Sequence, residues 1–223
     1  MNNKTALIIG ASGLVGGHCL HALLATEYYS KVIALARKPL DIIHEKLEHY
    51  FVNFDSLAKF APLIKADDIF CTLGTTIRKA GSQAAFEKVD YTYPVEVAKI
   101  AAANGAQQFL IVTAVGANPS SRVFYSRVKG NVEETISALK FKSTHFFQPS
   151  FLLGERNESR AGERIGIAAA SLLSPFLVSG LRRYRAVDAR IVAGAMVAVA
   201  RQNIKGIHRY EFDSIQNIYN GAV

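Results

Sequence analysis

Apolar residues fall along this chain in short blocks that alternate with polar turns and with longer stretches of helical spacing. Six blocks read as strands, at residues 6–9, 31–36, 51–54, 69–73, 109–113 and 144–148. Near-continuous apolar runs of this length suit strands buried on both faces of a parallel sheet. Between them the spacing turns helical. Leu14, Val15, Leu20, Leu23 and Leu24 line a first helix, and Phe86, Val89, Val95, Val97 and Ile100 line another over residues 82–103, stopped by Asn104-Gly105. Residues 188–201 read as a further helix and 208–212 as one last strand. Asp55-Ser56 stand where they would cap a short helix after the third strand. This alternation predicts an α/β fold, a doubly wound and mostly parallel sheet with helices on both faces. No internal repeat, Gly/Ser linker or low-complexity segment divides the chain.

The first strand-to-helix boundary carries the strongest chemical signal. Directly after Ala6-Leu7-Ile8-Ile9 come Gly10, Gly13 and Gly16, three apart. Gly10 permits a tight turn, Gly13 lets the backbone approach a pyrophosphate, and Gly16 lets helix and strand pack closely. The helix start adds free N–H groups and a positive dipole end, so the backbone around Ser12, Leu14 and Val15 is expected to cradle phosphates. The spacing is GxxGxxG, the form seen in extended and atypical short-chain dehydrogenases. Residues 1–150 are therefore expected to form a dinucleotide-binding Rossmann domain. Residues 151–223 would supply a small substrate lobe and C-terminal elements packed on that domain.

Cofactor choice follows from the end of the second strand, where an NAD-preferring site places an acid for the ribose 2′-hydroxyl. Here the residues are Arg37-Lys38-Pro39, with no acid before Asp41. A guanidinium and an ammonium suit a 2′-phosphate, so NADP is the expected cofactor. Asp55 is a further candidate, for the adenine amino group. In such a sheet the carboxyl end of the fourth strand faces the cofactor ribose, which makes Leu73, Gly74 and Thr75 expected backbone contacts. Pro149, in the turn after the sixth strand, is expected to line the nicotinamide pocket.

Tyr125 and Lys129 open a helix and lie four apart, one turn from each other on one face. A lysine ammonium so placed favours the phenolate and can hold a ribose, while the tyrosine gives or takes the proton that accompanies hydride transfer. Thr113, at the end of the fifth strand, offers a hydroxyl to orient the substrate oxygen. These three residues form the expected catalytic set.

Composition and charge alter this picture little. The formal charge of +8 invites a nucleic-acid partner, but the basic residues are scattered apart from Arg182-Arg183-Tyr184-Arg185. With no zinc spacing and no aromatic-basic RNA motif, nucleic acid is not expected as a main ligand. The six histidines show no metal-ligand spacing. No apolar stretch reaches membrane-spanning length; residues 165–181 come nearest, broken by Ser171, Ser174, Pro175 and Ser179, and read as a buried helix pair. Met1 leads almost at once into the first strand, and Cys19 and Cys71 form no CxxC pair, so a reducing cytoplasm is the expected compartment. Oligomeric state is open between monomer and homodimer.

GASGLVG at 10–16, CTLGTTIRKAG at 71–81, FEKVDY at 86–91, FYSRVKGNVEE at 124–134 and QPSFLLGERNESRAGE at 148–163 resemble the Tat-interacting-protein-like atypical short-chain dehydrogenases over almost the whole chain. The resemblance implies an NADP-binding Rossmann fold with Tyr125 and Lys129 as the catalytic pair. It departs at Thr113-Ala114, where the family usually has Ser-Ser. The expected activity is NADP-dependent reduction of a small carbonyl compound or its reverse. The rival is a non-catalytic NADPH-binding regulator. Arg156, Arg160 and Arg164, in a segment where Gly154 and Gly162 could act as hinges, are expected either to form a solvated loop or to cap the substrate pocket as a lid.

Overall fold

A computed structural model describes residues 4–154 and 179–222. In chain order the elements are β1 (Lys4–Ile9), α1 (Leu14–Ala25), β2 (Tyr29–Ala36), β3 (Leu47–Phe51), a 3₁₀ segment (Phe54–Leu63) and β4 (Asp68–Cys71). Then follow α2 (Ile77–Ala80), α3 (Gln83–Glu87), a π-helical segment (Lys88–Thr92), α4 (Tyr93–Ala103), β5 (Gln108–Val112) and α5 (Phe124–Ser137). The chain continues with β6 (Ser143–Phe147), β7 (Leu152–Leu153), a second 3₁₀ turn (Ser179–Tyr184), β8 (Val187–Asp188), α6 (Ala189–Gln202), β9 (Gly206–Tyr210) and α7 (Phe212–Asn220).

Seven strands form one sheet in the order β3-β2-β1-β4-β5-β6-β9, and every pair in it is parallel. Alternate residues of each strand face opposite layers. In β1, Ala6 and Ile8 join α1 and α6 in one core, while Leu7 and Ile9 join α4 and the 3₁₀ segment in the other. The strand order reverses between β1 and β4. Their carboxyl ends open a crevice there, where ligands bind in such sheets.

The third strand lies earlier than its apolar pattern suggests. β3 is Leu47–Phe51 rather than residues 51–54. As the edge strand its residues are only half-buried, with Phe51 exposed, so it shows no apolar run. Val52 and Phe54 are buried by the turn and 3₁₀ segment that follow. The helix expected over residues 82–103 exists, started by Ser82, whose Oγ accepts from Ala85 N at 3.1 Å. Its middle is widened by the π segment. β7 and β8 pair as a separate two-stranded sheet. Arg156, Arg160 and Arg164, and most of the apolar stretch 165–181, lie outside the described residues.

At the amino ends of the strands, away from the crevice, Asp68 is fully buried. Tyr29 donates to its Oδ2 at 2.7 Å, Gln108 Nε2 to its Oδ1 at 3.0 Å, and Lys4 Nζ stands 3.3 Å from Oδ2. Gln108 Nε2 also reaches the Ala200 carbonyl at 3.0 Å, which ties the central strands to the end of α6. Burial pushes the Asp68 carboxyl above its ordinary value, and Tyr29, Lys4 and Gln108 pull it only part of the way back. The folded state therefore binds this proton more tightly than the unfolded chain does. Acidification from the raised folded value towards the ordinary carboxylate value makes this position more stabilising. Asp68→Ala strands buried donors at about 1–3 kcal/mol each, so a loss of about 2–4 kcal/mol is expected in urea unfolding. An unchanged midpoint would show that the network contributes nothing.

Candidate active site

The glycine turn has the shape expected of a phosphate cradle. Gly10 has φ +87°, and a Cβ there would stand 2.7 Å from the Thr72 carbonyl carbon. At Gly16 a Cβ would meet the Gly10 carbonyl oxygen at 2.0 Å. Gly13 N donates to Gly10 O at 2.9 Å, and Ser12 and Gly13 are exposed. α1 starts after Gly13 with no side-chain cap and no acid in its first turn. Its first N–H groups, from Leu14 and Val15 onward, thus have no competing side-chain acceptor and fit the pyrophosphate of a dinucleotide.

Arg37 and Lys38 extend, exposed, beyond the end of β2. Asp55 lies close enough for Arg37 to bear on it electrostatically. The 3₁₀ cap expected of Asp55 comes instead from Asn53, whose side chain accepts from Asp55 N at 2.9 Å. The helical segment starts at Phe54, which puts Asn53 and not Asp55 in the capping position. The Asp55 carboxylate takes Lys88 Nζ at 2.7 Å and the Tyr93 hydroxyl at 2.5 Å. Lys88 and then Tyr93 hold it below the usual carboxylate range.

Tyr125 stands in the first turn of α5, 37% exposed, its ring 5.5 Å from that of the fully buried Phe86. No described residue hydrogen-bonds its hydroxyl. The preceding loop is held to the helix start, with Asn118 N donating to Ser126 O at 3.0 Å and Arg127 Nη1 to Ser121 O at 2.8 Å. Gly130 allows that loop to cross the helix closely, since a Cβ there would lie 2.2 Å from Asn118 C. One turn after Tyr125, Lys129 is buried, and its Nζ is 2.7 Å from Asp90 Oδ1. Burial disfavours the ammonium, but Asp90, with Tyr125, more than offsets it, so the Lys129 pKa lies above the ordinary lysine value.

Asp90 belongs to the π segment, is 1% exposed, and accepts Thr75 N on its Oδ2 at 2.9 Å. It thereby joins Lys129 to the backbone of Leu73-Gly74-Thr75 after β4. Pro149 is buried next to the end of β5, where its carbonyl accepts from Val115 N at 3.1 Å.

Thr113 is buried just beyond β5, and its Oγ1 donates to Glu133 Oε1 at 2.6 Å. Gln148 Nε2 reaches the same oxygen at 2.7 Å, and Arg209 Nε reaches Oε2 at 2.8 Å. Asp90 and Glu133 are the two site residues that sequence reasoning missed. Glu133 follows Lys129 by four and so shares its face. Asp90 follows Phe86 by four on an apolar side, where an acid needs a buried cation.

A parallel sheet with a glycine cradle at its reversal point, and a half-open tyrosine beside a buried lysine, defines a dinucleotide-binding protein of the short-chain dehydrogenase class. Residues 6–208 match the NAD dependent epimerase/dehydratase family, and the chain belongs to that family. Protein HTATIP2 of Rattus norvegicus is 39% identical over 167 residues, spanning 73% of this chain and 69% of that one. Protein FMP52, mitochondrial, of Coccidioides immitis is 31% identical over 219 residues, spanning 91% and 87%. These relatives bear out the resemblance to the Tat-interacting-protein-like group. Among solved structures, MoeE5 in complex with UDP-glucose and NAD superposes with a TM-score of 0.71 at 13% identity, covering 93% of this chain and 75% of that one, a likeness of fold.

The relatives also correct the expected compartment. Several FMP52 proteins, including that of Candida albicans, are named mitochondrial, in conflict with a cytoplasmic assignment. Cys19 and Cys71 are both free and buried, and thiols shielded in a core do not report the redox state outside it. No helix among the described residues is long and apolar enough to cross a membrane.

Proposed function

We propose that this protein is an NADP-dependent oxidoreductase that interconverts a small carbonyl compound and its alcohol. The observation that carries the reading is Tyr125, exposed and with its hydroxyl unbonded among the described residues, one helical turn from a buried, charge-paired Lys129. When bound, the nicotinamide supplies or accepts the hydride. Tyr125 delivers the proton to the carbonyl oxygen in reduction and removes it in oxidation. Lys129 holds a positive charge beside that hydroxyl and can reach a ribose, while Leu73, Gly74, Thr75 and Pro149 line the same pocket. The turn at Gly10, Ser12, Gly13, Leu14, Val15 and Gly16 holds the pyrophosphate. Asp55 borders the adenine. Thr113 completes the set by turning its hydroxyl from Glu133 to the substrate oxygen, and Glu133 keeps Gln148 and Arg209 when it does.

The test is NADPH consumption with a panel of aldehydes, ketones and quinones. Turnover of any member supports the reading, whereas tight NADPH binding with none favours a cofactor-sensing regulator. Cofactor choice has its own test. Exposed Arg37 and Lys38 supply charge-assisted bonds to a 2′-phosphate, so NADPH should bind more tightly than NADH. Replacing both with alanine should erode that preference by about 1–3 kcal/mol in titration calorimetry. Equal affinities in the parent would overturn the assignment to NADP.

A further inference from the structure

Lys129 has a buried anion as its partner, and that anion is fixed from a second direction. Asp90 Oδ1 lies 2.7 Å from Lys129 Nζ, a charge-assisted contact. Oδ2 is held by Thr75 N at 2.9 Å. The carboxylate cannot swing away without giving up the Thr75 N–H and stranding a buried ammonium at once. Its place in the fold also has a specific cause. The π turn over Lys88–Thr92 widens an otherwise α-helical stretch where Asp90 meets α5, and π turns often occur at functional sites.

Among the described residues, the titratable groups that bear on this pair are few. Tyr125 lies on the same helix as Lys129. Cys71, at the end of β4, is the group facing it from the sheet. Burial pushes the Cys71 thiol up to about 12, so it stays neutral near pH 7. Thr75, which donates its backbone N–H to Asp90, carries no charge. Glu133, one turn beyond Lys129 on the same face, is a second buried anion but is itself paired with Arg209, which leaves Lys129 and Asp90 as the pair whose charges act on Tyr125.

We propose that Asp90 is a positioning residue that anchors Lys129 and sets, by partial cancellation of its charge, how strongly the lysine acts on Tyr125. This rests on the oxidoreductase reading of the same site. The Asp90 carboxylate opposes the ammonium's pull on the tyrosine proton. Without that carboxylate charge, over the pH range in which Lys129 keeps its proton, the phenolate is favoured, and the proton needed for carbonyl reduction is lost at lower pH.

The test follows NADPH-dependent reduction of 4-nitrobenzaldehyde, or of the panel carbonyl compound turned over fastest, against pH in the parent, Asp90→Asn and Asp90→Glu. In Asp90→Asn the alkaline limb of kcat should move down by about one pH unit. Asp90→Glu keeps the charge, so its limb should stay with the parent's whatever happens to the rate. A residue that only supported the fold would lower kcat or melting temperature in both variants and leave both limbs in place, which would overturn the proposal.

A parent without turnover, or a Tyr125→Phe variant with full turnover, would count against the oxidoreductase reading instead. In that event, or if Asp90→Asn does not fold, the ion pair is read in the parent by ¹⁵N NMR of the lysine Nζ atoms. Lys129 should keep its ammonium signal to higher pH than the exposed lysines. Loss of that signal no later than theirs would overturn the proposal.

Discussion

Tyr125→Phe is expected to lower carbonyl turnover by about 10²–10⁴-fold, the usual worth of a general acid. The substitution keeps the ring, so its packing at 5.5 Å on Phe86 survives and only the proton carrier goes. NADPH affinity should change little, because the ring still packs and the hydroxyl has no partner among the described residues that the variant would strand. Steady-state rates with a substrate from the panel, set beside a direct binding titration, separate the two quantities. Full activity in the variant would remove Tyr125 from the chemistry.

Lys129→Met should do two kinds of damage. Turnover and cofactor binding should both fall, since the ammonium serves the tyrosine and the ribose. The fold should lose about 3–5 kcal/mol as well, because Asp90 would be left as a buried charge without its cation. With its folded pKa raised, the lysine's share of stability is fully present at neutral pH. It fades only as pH rises through that raised value. Adding Asp90→Asn to Lys129→Met removes the stranded charge and should restore much of the stability without restoring turnover. Urea unfolding of the two single variants and the double variant measures the coupling. Simple additivity would mean that the two groups do not interact.

The glycine turn, the central strands and the Tyr125–Lys129 pair were legible in the sequence because each is a local pattern. Ala6 to Gly16 states strand, turn and helix within a few residues, and Tyr125 and Lys129 share a face by spacing alone. The apolar block at 51–54 points past β3 because an edge strand, half-buried along its length, shows only half a pattern. Residue type and position both allow Asp55 to cap, but Asn53 two residues earlier has the same ability and the better place. The π turn left no mark, since one widened turn does not change which residues are apolar. Asp90 and Glu133 were hidden for another reason. Their partners come from distant stretches, Lys129 for one and Arg209 on the last strand for the other, and no window of sequence holds both.

That last strand sets the order in which the site can be finished as the chain is made. β6 is paired along one side by β5 and along the other by β9, from Ser143 opposite Gly206 to Phe147 opposite Tyr210. A ribosome delivers β6 long before β9. Through that interval a nascent chain carries an open strand edge with Phe146 and Phe147 beside it, the kind of surface to which other chains add. β9 closes it late, laying Tyr210 on Phe147 at 5.0 Å and bringing Arg209 to Glu133. The glycine turn between β1 and α1 is translated well before β9 and the wall that β9 completes behind Thr113.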